Sequence, residues 1–316
     1  MSPGDNFVGV NWGSTNFRAY LFDGAGRLVD DCAAPAGVTR LDRAGMERQI
    51  ADLVARWPAH GPIYASGMIG SNVGWLEIPY VEAPAGIAEL VAGARTVPIG
   101  PAQVTLMPGV ACRRAADGAP DILRGEDIEL AGVAAAVVAA GHVALPGTHT
   151  KWVRLEAGRI GEFATSMSGE IYDRLTTLGL LASVVEGEAA EGDAFDAGLA
   201  LGRDRNLGLG ALLFGVRARV LRGELPRSDA ASFARGLLIG SEIADAIALY
   251  PEIAGSAMPL IGADSVCRLY AAALARFEVT GVRIDSKQAC ADGYRILHNH
   301  CLATGRQPDQ LHSLRT

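Results

Sequence analysis

Apolar residues alternate with small or polar ones through Val8–Asp23, VGVNWGSTNFRAYLFD; the alternation breaks at Trp12-Gly13-Ser14-Thr15-Asn16 and resumes through Phe17, Ala19, Leu21 and Phe22. Period two on both sides of a small polar turn predicts a hairpin of two buried strands, with a second turn at Gly24-Ala25-Gly26 and a third strand over Arg27–Ala33. The unit recurs at Val143–Ile160, VALPGTHTKWVRLEAGRI, where Gly147-Thr148-His149-Thr150 is the first turn and Glu156-Ala157-Gly158 the second. From first to second glycine turn is 13 residues in one copy and 11 in the other. Two copies of one unit point to a duplicated domain. A glycine-hydroxyl turn offers backbone N–H groups on a surface with little side-chain bulk, which suits a phosphate; an ordinary hairpin turn is the plain alternative. Facing each other across a cleft, two such turns would grip the phosphates of a nucleotide from both sides.

The pattern between and after the copies predicts alternating helices and strands. Helices are expected over Arg43–Trp57, Pro84–Ala94, a nearly all-apolar stretch from Glu126 to Ala140, Ser168–Leu181 with Ser168 as N-cap, Asp193–Leu201, Leu212–Leu221, Ala231–Tyr250, Val266–Phe277 and Ser286–Ala303. Short buried strands are expected at Ile63–Ser66, at Gln103–Met107 and up to Ile284. The loop after Ser66, Gly67-Met68-Ile69-Gly70-Ser71-Asn72-Val73-Gly74-Trp75, combines glycines, polar side chains and one aromatic at the carboxyl end of a strand, where ligands gather in α/β proteins. Such a loop suits a polyol or a sugar acid. Glu126 and Asp127 open the apolar helix; carboxylates favour a helix N-terminus, and one facing a cleft would take a proton from a hydroxyl. Met258–Ser265 reads as a strand ending in glycine at a helix N-terminus, a common nucleotide contact.

Composition narrows the class. The 316 residues are 49% hydrophobic and 20% charged, which is ordinary for a globular enzyme with room for two cores. A net charge of −7 without any basic run argues against nucleic acid and anionic membranes as partners. Five dispersed cysteines, Cys32, Cys112, Cys267, Cys290 and Cys301, form no CxxC pair, which predicts neither a disulfide framework nor structural zinc, and a cytoplasmic setting. No signal peptide or membrane span is expected, and a homodimer is left open. His298 and His300, two apart on a helix, do not share a face for a metal. No P-loop signature occurs, and Gly208-x-Gly210 fails the Rossmann fingerprint.

The segments NWGSTNFRAYLFD, ASGMIGSNVGW, LRGEDIELAG, LPGTHTKWV, TSMSGE, GLLIGSE and LIGADS, in this order, resemble the 2-dehydro-3-deoxygalactonokinases, from about residue 7 to residue 295. These enzymes belong to the acetate and sugar kinase, Hsc70 and actin superfamily. The resemblance implies an α/β fold of two ribonuclease-H-like (actin/hexokinase-like) domains, residues 1–138 and 139–316, with ATP and Mg²⁺ in the cleft between them. It implies transfer to the terminal hydroxyl of 2-dehydro-3-deoxy-D-galactonate. Gly13, Ser14, Thr15 and Asn16 would form the first phosphate motif, and Gly147, Thr148, His149 and Lys151 the second. Gly262, Ala263 and Asp264 would lie near the adenosine. Glu126 would be the base, with Asp127 its close competitor. Ser66, Gly67, Met68, Ser71, Asn72 and Trp75 would hold the sugar acid, with Arg18 and Arg124 as cations for its carboxylate. One position departs: the superfamily's first motif begins with an aspartate that organises Mg²⁺, and Asn11 stands there. Two rival readings follow, a kinase for another 2-keto-3-deoxy sugar acid and a catalytically weak sugar-acid sensor. Repressor relatives carry a helix-turn-helix extension, and a first strand at about residue 7 favours the enzyme.

Overall fold

The computed structural model describes residues 6–138, 140–204, 207–305 and 309–310. Contacts divide the chain into two compact units, Met1–Gly141 with Arg154–Glu162 and Ser286–Thr316, and His142–Val153 with Phe163–Asp285. Beside the expected division into residues 1–138 and 139–316, this grouping places the last helix and the tip of the second hairpin with the first unit. Small residues explain the helix. Gly132 on the Glu126–Ala136 helix and Gly293 on the Ser286–Thr304 helix each meet the other's backbone so closely that a Cβ at either would overlap it.

The main sheet of the first unit runs in the order Asp309–Gln310, Arg95–Ile99, Ala102–Leu106, Ile63–Gly67, Phe7–Trp12, Phe17–Phe22, Leu28–Ala34. Phe7–Trp12 pairs antiparallel with Phe17–Phe22 and parallel with Ile63–Gly67, which in turn lies parallel to Ala102–Leu106. The second unit repeats this order: Arg159–Ser166, Thr150–Glu156, Gly141–Leu145, Ala257–Ile261, Thr280–Ile284, with the last three parallel. In both, three consecutive strands place the first innermost, and later strands add along its free edge. The repeat seen in the hairpins is thus a repeat of topology.

Alternation buries one face of these strands. Val8, Val10, Trp12, Phe17 and Ala19 have no exposed surface and join Ile50, Leu53, Ile63 and Val104 in one core. Each large apolar side chain buried this way contributes about 1.5–3 kcal/mol. The Trp12 indole N–H also donates to the Ala36 carbonyl at 2.8 Å, fixing the strand end that leads into the first turn. Asp42 caps the Arg43–Arg56 helix by accepting from the Gly45 amide at 2.7 Å. On the other side of the sheet, Tyr294 lies over Gly9, where any side chain would collide with its ring.

Some elements differ from the pattern-based expectation. The apolar helix stops at Ala136, and the helix expected from Pro84 is Ile87–Gly93. Val81–Glu82, Val110–Arg113 and Pro120–Leu123 form a small three-stranded sheet, too short for period-two alternation to reveal. Ser168 is the first residue of its helix, Ser168–Thr177, and not its cap; its hydroxyl is committed elsewhere. No helix among the described residues is long and apolar enough to cross a membrane.

Candidate active site

In the first unit the turn Gly13–Asn16 leaves the carboxyl end of Phe7–Trp12. Gly13 N–H donates to the Asn16 carbonyl at 2.9 Å, which closes the turn. The segment behind it braces it: the Val38 amide donates to Gly13 O at 3.0 Å, and the Thr39 amide and hydroxyl both donate to Ser14 O, the hydroxyl at 2.7 Å. Gly37 sits so tightly under Ser14 and Thr15 that a Cβ there would overlap their backbone. Ser14, Thr15 and Asn16 themselves are exposed. A rigid turn with outward polar groups is what anion binding requires.

Next to it, Ile63–Gly67 runs parallel to Phe7–Trp12 with Ser66 opposite Asn11 and Gly67 opposite Trp12. Gly67 adopts φ 94° and a Cβ there would stand 2.7 Å from Trp12 O. Gly125, at φ 105°, packs on it, 3.1 Å from its own would-be Cβ to Gly67 Cα. Only glycine takes these backbone angles readily at such a distance. The pair sets the N-terminus of the Glu126–Ala136 helix against the loop that follows Gly67.

The two carboxylates there differ. Glu126 is half-buried and its Oε2 accepts from Arg124 N at 3.0 Å. Asp127 is fully buried; its Oδ2 accepts from Gly125 N at 2.7 Å, while Oδ1 has no hydrogen-bond partner. Burial pushes Asp127 up to about 7, and the charge of Glu126 adds to this. Glu129 lies one turn on, a third carboxylate at this helix start. It accepts from Ser286 Oγ at 2.6 Å and is also pushed up to about 7, chiefly by burial, with Arg18 opposing. Arg18 is exposed on the strand opposite Asn11. The Asn11 side chain meets the Cys290 thiol, which is pushed up by burial and then by Glu129.

Arg124 precedes this helix. Its guanidinium lies 4.3 Å over the Tyr80 ring, and Nη2 donates to the Ile78 carbonyl at 2.7 Å. Nε and Nη1 are buried and have no partner, and Nη1 lies 3.0 Å from where a Gly70 Cβ would be. Two donor nitrogens are thus unmatched, and one of them, Nη1, sits against the loop after Gly67.

Several expected loop residues serve the fold. Ser66 is fully buried and shares a 2.7 Å hydrogen bond with the Tyr294 hydroxyl, which donates to Val10 O at 2.6 Å. Ser71 Oγ donates to Met68 O at 2.7 Å and shapes the loop. Trp75, expected as an open aromatic wall, is 9% exposed within the core, with the Arg43 guanidinium 3.6 Å from its ring. The loop's arginine partner and its chain reversal explain this: Trp75 N–H returns to Ile69 O at 2.8 Å and turns the ring inward. Met68 is half-buried and Asn72 exposed, so Asn72 remains available to a ligand.

In the second unit, Gly147–Thr150 leaves the end of Gly141–Leu145. Thr148 and His149 are exposed, and His149 Nε2 pairs with Glu170 Oε2 at 2.6 Å, which holds Glu170 below the usual carboxylate range. Lys151 is buried and donates to Thr165 Oγ1 at 2.9 Å, beneath the turn and not on its rim. A Cβ on Gly262 would lie 2.6 Å from Pro146 O, so the end of Ala257–Ile261 touches the start of the second turn. Ala263 is the N-cap position of the Asp264–Ala275 helix, and Asp264 is paired with Arg268 and Arg283. The Gly147–Thr150 turn and Gly262–Asp264 thus lie together at one end of the same sheet.

Among the described residues no group of three or more His, Cys, Asp or Glu side chains is arranged to hold a metal ion. His298 is buried, with its Nδ1 3.0 Å from the Tyr64 hydroxyl.

Sheets of this order, each with a polar turn at the carboxyl end of its innermost strand, define a two-domain α/β protein built on a duplicated strand topology. The sequence profile of the 2-keto-3-deoxy-galactonokinases matches residues 11–297. The chain belongs to that family. It is 34% identical over 305 residues to a Rhizobium meliloti (strain 1021) protein assigned as the 2-dehydro-3-deoxygalactonokinase DgoK1, covering 93% of this chain and 96% of that one. It is 34% identical over 242 residues to the 2-dehydro-3-deoxygalactonokinase of Escherichia coli (strain K12), covering 75% and 79%. The crystal structure of a Sinorhizobium meliloti protein assigned to the same activity matches with a TM-score of 0.85 at 31% identity, covering 95% of this chain and all of that one.

Proposed function

We propose that this chain is an ATP-dependent, cytoplasmic kinase that phosphorylates the terminal 6-hydroxyl of 2-dehydro-3-deoxy-D-galactonate. The family supports the reaction, and Arg124 carries the substrate class. Two buried guanidinium nitrogens without hydrogen-bond partners call for an anion, and a guanidinium is well matched to a carboxylate. A sugar acid supplies that carboxylate beside the polar loop after Gly67.

Glu126, half-buried at the helix start, accepts the proton of the attacking hydroxyl, a contribution of roughly 10²–10⁴-fold for a positioned base. Asp127 holds the Gly125 amide and so keeps that helix start seated on Gly67. Gly13–Asn16 and Gly147–His149 hold phosphate oxygens through backbone donors and hydroxyls, Lys151 adds positive potential beneath the second turn, and Gly262–Asp264 meet the adenosine. In this class of reaction, positioning and neutralisation of spreading charge supply most of the rate. Mg²⁺ keeps its waters and is bound mainly by nucleotide phosphates, and Asn11 with a neighbouring carboxylate such as Glu126 would meet its hydration shell. Bound there, Mg²⁺ supplies charge neutralisation on the transferred phosphoryl group.

The neutral Asn11 favours one second reading, a sensor that binds the sugar acid and turns over weakly. The deciding measurement is ADP release from ATP and Mg²⁺ with a panel of 2-keto-3-deoxy sugar acids. Sustained turnover with 2-dehydro-3-deoxy-D-galactonate is expected. Calorimetric binding of that acid without turnover would establish the sensor, and preference for a stereoisomer would reassign the substrate.

A further inference from the structure

The second glycine turn stands on a buried carboxylate at the end of the GLLIGSE segment, to which neither periodicity nor spacing gives a role. Glu242, from the Arg227–Leu249 helix, is 4% exposed. Its Oε1 accepts from the Trp152 indole at 2.9 Å, its Oε2 accepts from Ser168 Oγ, and the Tyr270 hydroxyl reaches both oxygens at 3.0 Å. Burial raises this carboxyl and the surrounding hydroxyl and indole donors oppose the rise. An indole N–H can only donate, and a carboxylate can only accept, so the direction of the chain of bonds is set. The single Tyr270 proton points to Glu242. The Tyr270 oxygen is then free to accept from Thr150 Oγ1 at 2.9 Å, and the Thr150 oxygen faces the Gly147 amide at 3.5 Å.

The same carboxylate fastens the other flank of the turn. Ser168 opens the Ser168–Thr177 helix, whose next residues clamp the turn: the Glu170 amide donates to Thr148 O at 2.9 Å, and a Cβ on Gly169 would overlap Gly147 O. One buried anion therefore anchors both sides of Gly147–Thr150, through Tyr270 and Thr150 on the strand side and through Ser168 on the helix side.

We propose that Glu242 is a positioning residue for nucleotide phosphates, acting through Tyr270, Thr150 and Ser168 to fix the geometry of the Gly147–Thr150 turn. This rests on that turn being the second phosphate motif. The purified full chain carrying Tyr270→Phe, Thr150→Val or Glu242→Gln is compared with wild type for ATP affinity by calorimetry, for KM of ATP and of sugar acid, and for melting temperature. Tyr270→Phe removes one hydroxyl and Thr150→Val exchanges one for a methyl of similar size, and both serve if Glu242→Gln does not fold. Expected is about a tenfold loss in ATP affinity and rise in KM for ATP, the scale of one lost buried hydrogen bond, with KM for the sugar acid within about twofold of wild type. Wild-type ATP affinity in a folded Tyr270→Phe or Thr150→Val protein, or an equal rise in both KM values, would overturn the assignment while leaving the kinase reading intact. Failure of the wild-type chain itself to bind ATP would overturn both.

Discussion

Gly125 rests on Gly67 with 3.1 Å between its would-be Cβ and the Gly67 Cα, both at positive φ. This contact delivers the Glu126–Ala136 helix start to the end of the strand that neighbours Phe7–Trp12, so Glu126, the loop after Gly67 and the Gly13–Asn16 turn gather at one end of the sheet. Glu126→Gln keeps the size and the acceptor for the Arg124 amide and removes only basicity. Turnover should fall by roughly 10²-fold or more, with ATP affinity unchanged, as steady-state rates and calorimetry would register. Near-normal turnover in Glu126→Gln beside an inactive Asp127→Asn would transfer the base to Asp127.

Asp127 makes stability depend on pH. Burial raises it from the ordinary 3.8 to about 7, so the folded chain holds this proton more tightly than the unfolded chain. Its contribution to stability is full below about 3.8 and is lost as pH rises through about 7. Asp127→Asn keeps an acceptor for the Gly125 amide and cannot ionise. Its melting temperature should therefore gain on wild type steadily between pH 4 and pH 7 and level off above. A flat difference would show that Asp127 keeps an ordinary pKa in the fold, and one that shrinks with rising pH would show a lowered one; either would overturn this prediction.

Arg124→Lys keeps a positive charge but loses the fork and the stacking on Tyr80. KM for the sugar acid should rise about tenfold or more while KM for ATP stays near wild type, an effect on the scale of a lost charge-assisted pair. Equal effects on both substrates would mean that Arg124 braces the loop and does not read a carboxylate.

Asn11→Asp restores the negative charge that the resemblance leads one to expect. Asp is the better partner for a hard cation's waters, so the Mg²⁺ concentration for half-maximal rate should fall. Asn11 is half-buried against Cys290, whose surroundings already include Glu129, so the melting temperature without nucleotide should drop as well. Unchanged Mg²⁺ dependence would place the organising carboxylate elsewhere, with Glu129 the nearest addition to Glu126 and Asp127.

Local pattern determined much of this molecule by itself. Period-two alternation interrupted by Gly-Ser-Thr-Asn and Gly-Thr-His-Thr defined both hairpins and their turns, because strand periodicity and turn chemistry are properties of neighbouring residues. The same holds for most helices, whose boundaries moved by only a few residues, and for Glu126 and Asp127 at a helix start. Tertiary structure alone decided the rest. Ser66 and Trp75 look like ligand residues by type, yet Tyr294 and Arg43 claim them. Which of two adjacent carboxylates is dry depends on what packs over each, and Asp127 is the buried one. The assignment of the Ser286–Thr304 helix to the first unit rests on Gly132 and Gly293, far apart in sequence. Glu242 is the plainest instance: its partners Ser168 and Trp152 stand 74 and 90 residues away, and Thr150 reaches Tyr270 across 120. Hydrogen-bond partners at such separations leave no periodic trace, since only the folded chain brings the groups within 3 Å.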